Sequence, residues 1–195
     1  MNYDKAYSYL TGKLQRELPQ SITYHNLNHT KNVIEAAITI AHDQNITGDE
    51  ATMLKTAALF HDAGFLISSS DHETHSCQLA QQHLPGFGYD EIQRAYICEL
   101  IMTTKMPQSP FNLASKVLCD ADLYYLGQRD YTKQAENLYQ ELLSANKIGS
   151  QSEWIIVQIN FLQSHRYFTD TANDNCNSGK LKNLHGLFSK CDQVT

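Results

Sequence analysis

The sequence predicts a single all-α domain, and three observations carry that prediction. Apolar residues recur at three- and four-residue spacing in successive segments, which is the period of an amphipathic helix. No pair of segments alternates between apolar and polar residues as hairpin strands do, and no internal repeat is present. The 195 residues suffice for one domain with a substantial core and are too few to favour two. We expect one domain over residues 1–195, with a core at about 20–170 and a C-terminal helical extension at 171–195.

The N-terminal half divides into helices at polar or proline-containing breaks. The first helix carries Leu10 and Leu14 one turn apart and closes at Pro19. Asp49 and Asp71 stand where helix N-caps are expected. The expected helices in this half cover residues 3–18, 29 to a break at 48–50, 50–62, 72–83 and 90–104.

The C-terminal half continues the helical pattern up to a polar stretch. We expect helices at 113–126, 131–145 and 153–168. Residues 173–179 are rich in Asn, Asp, Ser and Gly, which predicts a linker. A short last helix is expected at 180–190.

Composition and charge exclude several classes of partner. The chain is 42% hydrophobic and 18% charged, with a formal net charge of −6 and no cluster of Lys or Arg. An extended contact with a nucleic acid polymer or an anionic membrane needs concentrated positive charge, so neither partner is expected. No signal-peptide pattern and no apolar stretch of about 20 residues is present, which favours a cytoplasmic protein. The five cysteines are scattered without a C-x-x-C pair and are expected to be reduced thiols.

The stretch from Ala57 to Phe65 concentrates the chemistry of the chain. An apolar run leads directly into the adjacent residues His61 and Asp62, and Gly64 is expected to end the helix. Burying an imidazole and a carboxylate without partners costs several kcal/mol, so each should be paired or should bind a metal.

Two further residues are candidate partners because of their place on predicted helices. His29 lies on the same face as Val33, at the start of an apolar stripe. Asp122 lies one turn after Leu118 on a similar face. Asp120 points roughly 160° away from Asp122, because each helical residue turns by about 100°. We therefore expect Asp122 to be a ligand, and Asp120 to support the site or to lie on another helix face.

The residues His29, His61, Asp62 and Asp122 form a mixed nitrogen and oxygen ligand set. Such a set suits Mn, Fe, Ni, Co or Mg as a divalent ion. It is less typical of a closed structural zinc site. Four ligands leave open positions on a six-coordinate ion for water and a phosphate oxygen. One or two divalent metal ions are expected.

An early His, a His-Asp doublet after a helix and a late Asp before Leu resemble the HD superfamily of metal-dependent phosphohydrolases. The stretch from Tyr24 to His29 is similar to the YHNxxH stretch of cyclic-nucleotide phosphodiesterases, and the chain also resembles a bacterial subgroup of small HD proteins. The resemblance implies a single-domain HD-type helical bundle. It also implies that His25 is the catalytic proton donor and that His29, His61, Asp62 and Asp122 bind metal. In a mechanism with metal-activated water, Asp62 can orient that water or bridge to a second ion.

The sequence departs from the phosphodiesterase pattern after the doublet. The continuation HDxxHxG is absent, and the next histidine is His72. His72 is a candidate ligand for a second metal or a contact to phosphate, and Lys105 is a candidate phosphate contact. The purine clamp of the animal enzymes is not found, so neither cAMP nor cGMP is implied.

The predicted function is hydrolysis of a phosphodiester or phosphomonoester of a nucleotide-like small molecule by metal-activated water. One alternative is a nucleoside 5′-monophosphate phosphatase. A second is a non-catalytic HD module that senses metal and nucleotide, and a third is a di-iron oxygenase. The sequence does not determine whether the protein forms a homodimer.

Overall fold

The computed structural model describes residues 1–191, which form nine α-helices and no strand. Three single turns of 3-10 helix, Ala63–Leu66, Leu84–Phe87 and Tyr124–Gly127, lie between them. The all-α prediction is confirmed. None of these helices is long and apolar enough to cross a membrane. The helices are α1 (Tyr3–Glu17), α2 (Leu27–Asp43), α3 (Gly48–Phe60), α4 (His72–His83), α5 (Glu91–Met102), α6 (Leu113–Asp122), α7 (Tyr131–Ser144), α8 (Gln151–Ser164) and α9 (Asp170–Cys191).

Helix α3 lies at the centre of the larger hydrophobic core. It packs against α1, α2, α5 and α6, and its residues Ala57 to Phe60 are buried. Because α3 ends inside this core, the chain that follows Phe60 is also buried. The doublet His61-Asp62 is therefore held in the interior, with exposed fractions of 1% and 5%.

Helices α7, α8 and α9 enclose a second, smaller hydrophobic cluster that includes Tyr131, Trp154 and Leu187. The 3-10 turn Tyr124–Gly127 contacts α6, α7 and α9 and so joins this cluster to the end of α6. The C-terminus of α6 is thereby placed between the two clusters.

Gly64 has a different role from the predicted one. Helix α3 already ends at Phe60, and Gly64 lies inside the turn Ala63–Leu66. A Cβ atom at Gly64 would lie 1.9 Å from the carbonyl oxygen of His72. Glycine is needed here because two backbone segments approach closely, and not because a helix must end.

The predicted linker at 173–179 is wrong, because α9 runs through it without interruption. The side chain of Asn173 donates to the carbonyl of Thr169, and Asn177 donates to Asn173. Gly179 packs against the backbone of Gly127, which stabilises the helix from outside. Residues 192–195 of the predicted extension, and the side chain of Cys191, lie outside the described part of the chain.

Several predicted helix ends also differ from those observed. Asp49 lies in the first turn of α3, and Thr47 is at the N-cap position there. Asp71 is at the N-cap position of α4 as predicted, but its backbone is left-handed (φ 54°), and within residues 1–191 no side chain caps α3 or α4. The expected helix 113–126 ends at Asp122, and the 3-10 turn begins two residues later at Tyr124.

Candidate metal centre and adjoining cavity

The structure brings four predicted ligands to one point. His29 lies in the first turn of α2, His61 and Asp62 directly follow α3, and Asp122 is the last residue of α6. One ligand atom from each lies within 4.8 Å of the others. His29 Nε2 is 3.2 Å from Asp62 Oδ2 and 3.3 Å from Asp122 Oδ1. His61 Nε2 is 3.0 Å and 3.5 Å from the same two oxygens.

The donor atoms of this cluster are arranged for a cation. His61 Nδ1 lies 2.8 Å from the carbonyl oxygen of Ala58, so the proton on Nδ1 is donated there and Nε2 offers its lone pair to the cluster. His61 Nε2 and His29 Nε2 lie 3.3 Å apart. Asp62 Oδ2 is buried and finds no hydrogen-bond partner within residues 1–191. A divalent ion would satisfy the lone pairs that these atoms direct at one another.

The pKa shifts of the four side chains also agree with a cation bound between them. Burial alone would lower the pKa of His29 and His61, but the carboxylates of Asp122 and Asp62 outweigh it and raise the pKa of both. Burial would raise the pKa of the two carboxyl groups, but the neighbouring imidazoles hold it well below its usual range. The cluster thus holds two carboxylates that need positive charge between them, from protons or from a metal ion.

His72 lies on the other side of Asp62. Its Nε2 is 3.3 Å from Asp62 Oδ1 and 3.5 Å from Glu73 Oε1. Asp62 therefore directs Oδ2 at His29 and His61, and Oδ1 at His72. This is the geometry expected of a carboxylate placed between two adjacent binding positions.

Lys105 is not brought into this group. It is exposed at the surface, where its Nζ lies 2.6 Å from the carboxylate of Asp71. Its neighbours Thr104 and Met106 line the cavity described below, and Lys105 does not.

His25 lies beside the cluster and is held by Glu141, a residue that sequence reasoning missed. Glu141 Oε1 lies 2.5 Å from His25 Nδ1, and Oε2 accepts the backbone N–H groups of Tyr24 and His25. The His25 ring stacks on Phe65 with centroids 4.2 Å apart. Because Nδ1 is bound to Glu141, Nε2 is the nitrogen left to act on a ligand.

A weak signal for Glu141 is present in the sequence. Glu141 lies three residues after Leu138 and directly before Leu142, so it borders the apolar face of α7. It is only 6% exposed. A carboxylate at such a position needs a partner, although the sequence does not say which one.

Asp120 binds the segment that connects α8 to α9 and does not contact the four-residue cluster. Its Oδ1 accepts the backbone N–H of Phe168 at 2.8 Å, and its Oδ2 accepts the N–H and the hydroxyl of Thr169 at 2.8 and 2.7 Å. The prediction that Asp120 and Asp122 point in different directions agrees with these contacts.

A cavity of about 300 Å³ opens beside the cluster. One end is formed by His25, Asp62, His72 and Asp122, and the other by side chains of α7 and α8. The arrangement can hold a metal and a phosphoryl group at the first end and an organic group at the second.

Comparison with known proteins supports the resemblance seen in the sequence. The family model of the Ppx/GppA phosphatase, domain III, matches residues 21–115, a stretch that contains His29, His61 and Asp62 but ends before Asp122. No protein of curated function matches the chain in sequence.

Solved structures resemble the chain over nearly its whole length. A predicted HD superfamily hydrolase from an uncultured Thermotogales bacterium is 18% identical, with 96% of this chain and 92% of that chain covered and a TM-score of 0.60. Bacillus subtilis YpgQ in complex with ADP is 17% identical, with 97% of both chains covered and a TM-score of 0.66. A Lactobacillus plantarum protein is 13% identical, with 97% and 98% covered and a TM-score of 0.68. The chain therefore has the HD-type helical fold that its sequence resemblance implies.

Proposed function

We propose that the protein is a metal-dependent phosphohydrolase that cleaves a phosphoester of a nucleotide-like small molecule. The observation that carries the proposal is the convergence of two imidazoles and two carboxylates within 4.8 Å, next to a histidine held by a buried carboxylate. The fold similarity to a predicted HD superfamily hydrolase supports the reaction class, and the similarity to an ADP complex supports the kind of ligand.

His29, His61, Asp62 and Asp122 would hold the metal. A divalent ion held by these residues would lower the pKa of a bound water toward neutrality and would offset the charge of a phosphoryl group. The carboxylate of Asp62 is placed to accept a hydrogen bond from the attacking water and so to orient it. His61 is fixed in one tautomer by Ala58, which keeps its Nε2 directed at the cluster.

His25 is the proposed proton donor. Glu141 holds the ring through Nδ1, and a proton on Nε2 would pass to the leaving oxygen as the ester bond breaks. Phe65 supports the ring from one face, so its orientation is fixed before a substrate binds. His72 and Asp62 form the neighbouring position, which would bind a phosphate oxygen or a second ion.

The proposal is tested with metal analysis and two model substrates. We would measure metal content and the Mn²⁺-supported turnover of bis-p-nitrophenyl phosphate and p-nitrophenyl phosphate by the wild type, His61→Ala, His25→Ala and His42→Ala. His42 is an exposed imidazole remote from the cluster and serves as the control. We expect His61→Ala to lose metal and turnover, and His25→Ala to keep metal while diester hydrolysis falls by about 10²- to 10⁴-fold.

The outcomes separate the alternatives. Turnover of the monoester alone would favour a nucleoside 5′-monophosphate phosphatase over a phosphodiesterase. Metal binding without hydrolysis of either substrate would contradict the proposal and favour a sensor module or an oxygenase. Failure to bind metal would overturn the proposed centre itself.

A further inference from the structure

The cavity beside the cluster is poor in positive charge. Among the residues that the structure describes, no lysine or arginine lines it, whereas Asp62, Glu73 and Asp122 do. A polyphosphate chain carries several negative charges and is normally bound by Lys or Arg side chains. Once the metal centre and His72 have taken up one phosphoryl group, further phosphates would meet Glu73 and apolar side chains, with no Lys or Arg of the described chain beside them.

Three polar groups that line the cavity make hydrogen bonds within the protein. The Tyr131 hydroxyl donates to Gln158 Oε1 at 2.8 Å, and Gln158 Nε2 donates to the carbonyl of Trp154 at 3.3 Å. The Thr104 hydroxyl donates to the carbonyl of Ile101 at 2.8 Å. What remains for a ligand is mainly aromatic and aliphatic surface, including the rings of Trp154 and Tyr125.

A second cavity, of about 510 Å³, lies on the His29 side of the cluster and contains Arg129. Glu35, Asp122 and Asp130 also line it, so its acidic groups outnumber the single arginine. This side therefore offers a polyphosphate no net positive charge either.

We propose that the site selects a singly phosphorylated substrate whose organic group is aromatic and is bound in the cavity between α7 and α8 by stacking and apolar contact. Nucleotide-like esters with a longer phosphate chain should bind less tightly than the monophosphate esters, because no Lys or Arg within residues 1–191 lines the cavity. The inference rests on the proposed function for the phosphoryl end of the substrate. A cavity of about 300 Å³ lies at the small end of the range for ligand sites, which suits one ring system.

The test measures binding without turnover. Trp154 is the only tryptophan of the sequence and lines the cavity, so its fluorescence reports occupancy directly. We would titrate the Mg²⁺-supplemented protein with 2-phenylethylphosphonate and ethylphosphonate, whose C–P bonds are not hydrolysed. Inorganic triphosphate is added in a separate titration, and its fluorescence is read immediately after mixing, before any P–O–P bond is cleaved. We expect 2-phenylethylphosphonate to bind about 10- to 100-fold more tightly than ethylphosphonate, because the ring is removed from water. We expect triphosphate to produce no change in Trp154 fluorescence.

A matched pair of variants on α8 locates the ring. Val157 lines the cavity at its exposed edge, whereas the neighbouring Ile156 is exposed outside it. Val157→Phe narrows the cavity and should weaken 2-phenylethylphosphonate about tenfold while leaving ethylphosphonate unchanged. Ile156→Phe should change neither.

Failure of this inference is distinguishable from failure of the proposed function. Equal affinity for the two phosphonates, tight binding of triphosphate in the cavity, or no fluorescence response to any ligand would overturn the inference, whether or not p-nitrophenyl phosphate is hydrolysed. Selective binding of 2-phenylethylphosphonate would support it even if no ester were turned over.

Discussion

The carboxylate of Glu141, on α7, binds both the side chain and the backbone of His25. One carboxylate oxygen lies 2.5 Å from His25 Nδ1, and the other accepts the backbone N–H of the same residue at 3.1 Å. The two residues are 116 positions apart in the chain. A single carboxylate therefore orients the imidazole and fixes the loop that leads into α2.

Replacing Glu141 with Gln should slow hydrolysis without removing the metal. The amide has a single accepting oxygen and cannot hold both the ring and the backbone of His25 as the carboxylate does, so we expect a loss of about 10- to 100-fold in kcat, as for other partners that orient a functional imidazole. The measurement is kcat for bis-p-nitrophenyl phosphate together with metal content. Glu136→Gln, on the exposed face of the same helix, is the control. An unchanged kcat for Glu141→Gln would contradict the proposed role of His25.

The same substitution should change how stability depends on pH. Burial alone would raise the pKa of Glu141, but the hydrogen bonds from His25 and from two backbone N–H groups outweigh it and lower the pKa below its usual value of 4.5. A lowered pKa in the folded state stabilises the fold above the unfolded value, and this contribution is lost as the pH falls through the folded value. Glu141→Gln should thus lower the free energy of unfolding by about 1–3 kcal/mol at neutral pH.

Urea unfolding of both proteins between about pH 7 and about pH 3 would check this dependence. The difference between wild type and Glu141→Gln should shrink toward the acid end. A difference that stays constant over the range would show that the carboxylate is not the cause.

Removing the charge of Asp122 should weaken metal binding, whereas removing the charge of Asp120 should lower the stability of the fold. Asp122→Asn removes a proposed ligand, so metal affinity should fall by more than the roughly 10- to 100-fold that loss of a supporting partner costs. Asp120→Asn places an amide NH₂ against the donors of Phe168 or Thr169, so metal should be retained while the free energy of unfolding falls by about 1–3 kcal/mol. Metal titration and urea unfolding of both variants decide the assignment. Loss of metal in Asp120→Asn alone would reverse it.

Two glycines of α9 should give opposite results when replaced with alanine. A Cβ at Gly179 would lie 1.9 Å from the carbonyl oxygen of Gly127, so Gly179→Ala should destabilise the protein by about 1–3 kcal/mol. A Cβ at Gly186 meets open space among the described residues, so Gly186→Ala should stabilise it by about 0.4–1 kcal/mol. Thermal unfolding of the two variants checks both signs. Equal shifts would mean that α9 does not pack against the 3-10 turn.

Local patterns in the sequence predict much of the candidate centre. His61 and Asp62 are adjacent and follow an apolar run, so burial of both is readable from the chain itself. His29 and Asp122 come from separate helices, but each lies on an apolar face and matches a position of the HD pattern. Helix periodicity and motif spacing together suffice for these four residues.

Interactions between distant segments account for what the sequence did not predict. Glu141 lies in a helix of mixed polar residues, and its partner His25 is in another part of the chain, so nothing local indicates the pair. The stretch 173–179 has the composition of a linker, yet the contact of Gly179 with Gly127 keeps it helical. In both cases tertiary packing overrides the local preference.

The contact between Gly64 and the backbone of His72 has a consequence for ligand binding. The hydroxyl of Ser76 closes the same junction, accepting from the N–H of Gly64 and donating to the carbonyl of His61. His61, Asp62 and His72 therefore belong to one rigid unit whose conformational entropy is lost during folding. The protein is preorganised at this junction, and a ligand that binds there need not order the two binding positions relative to each other.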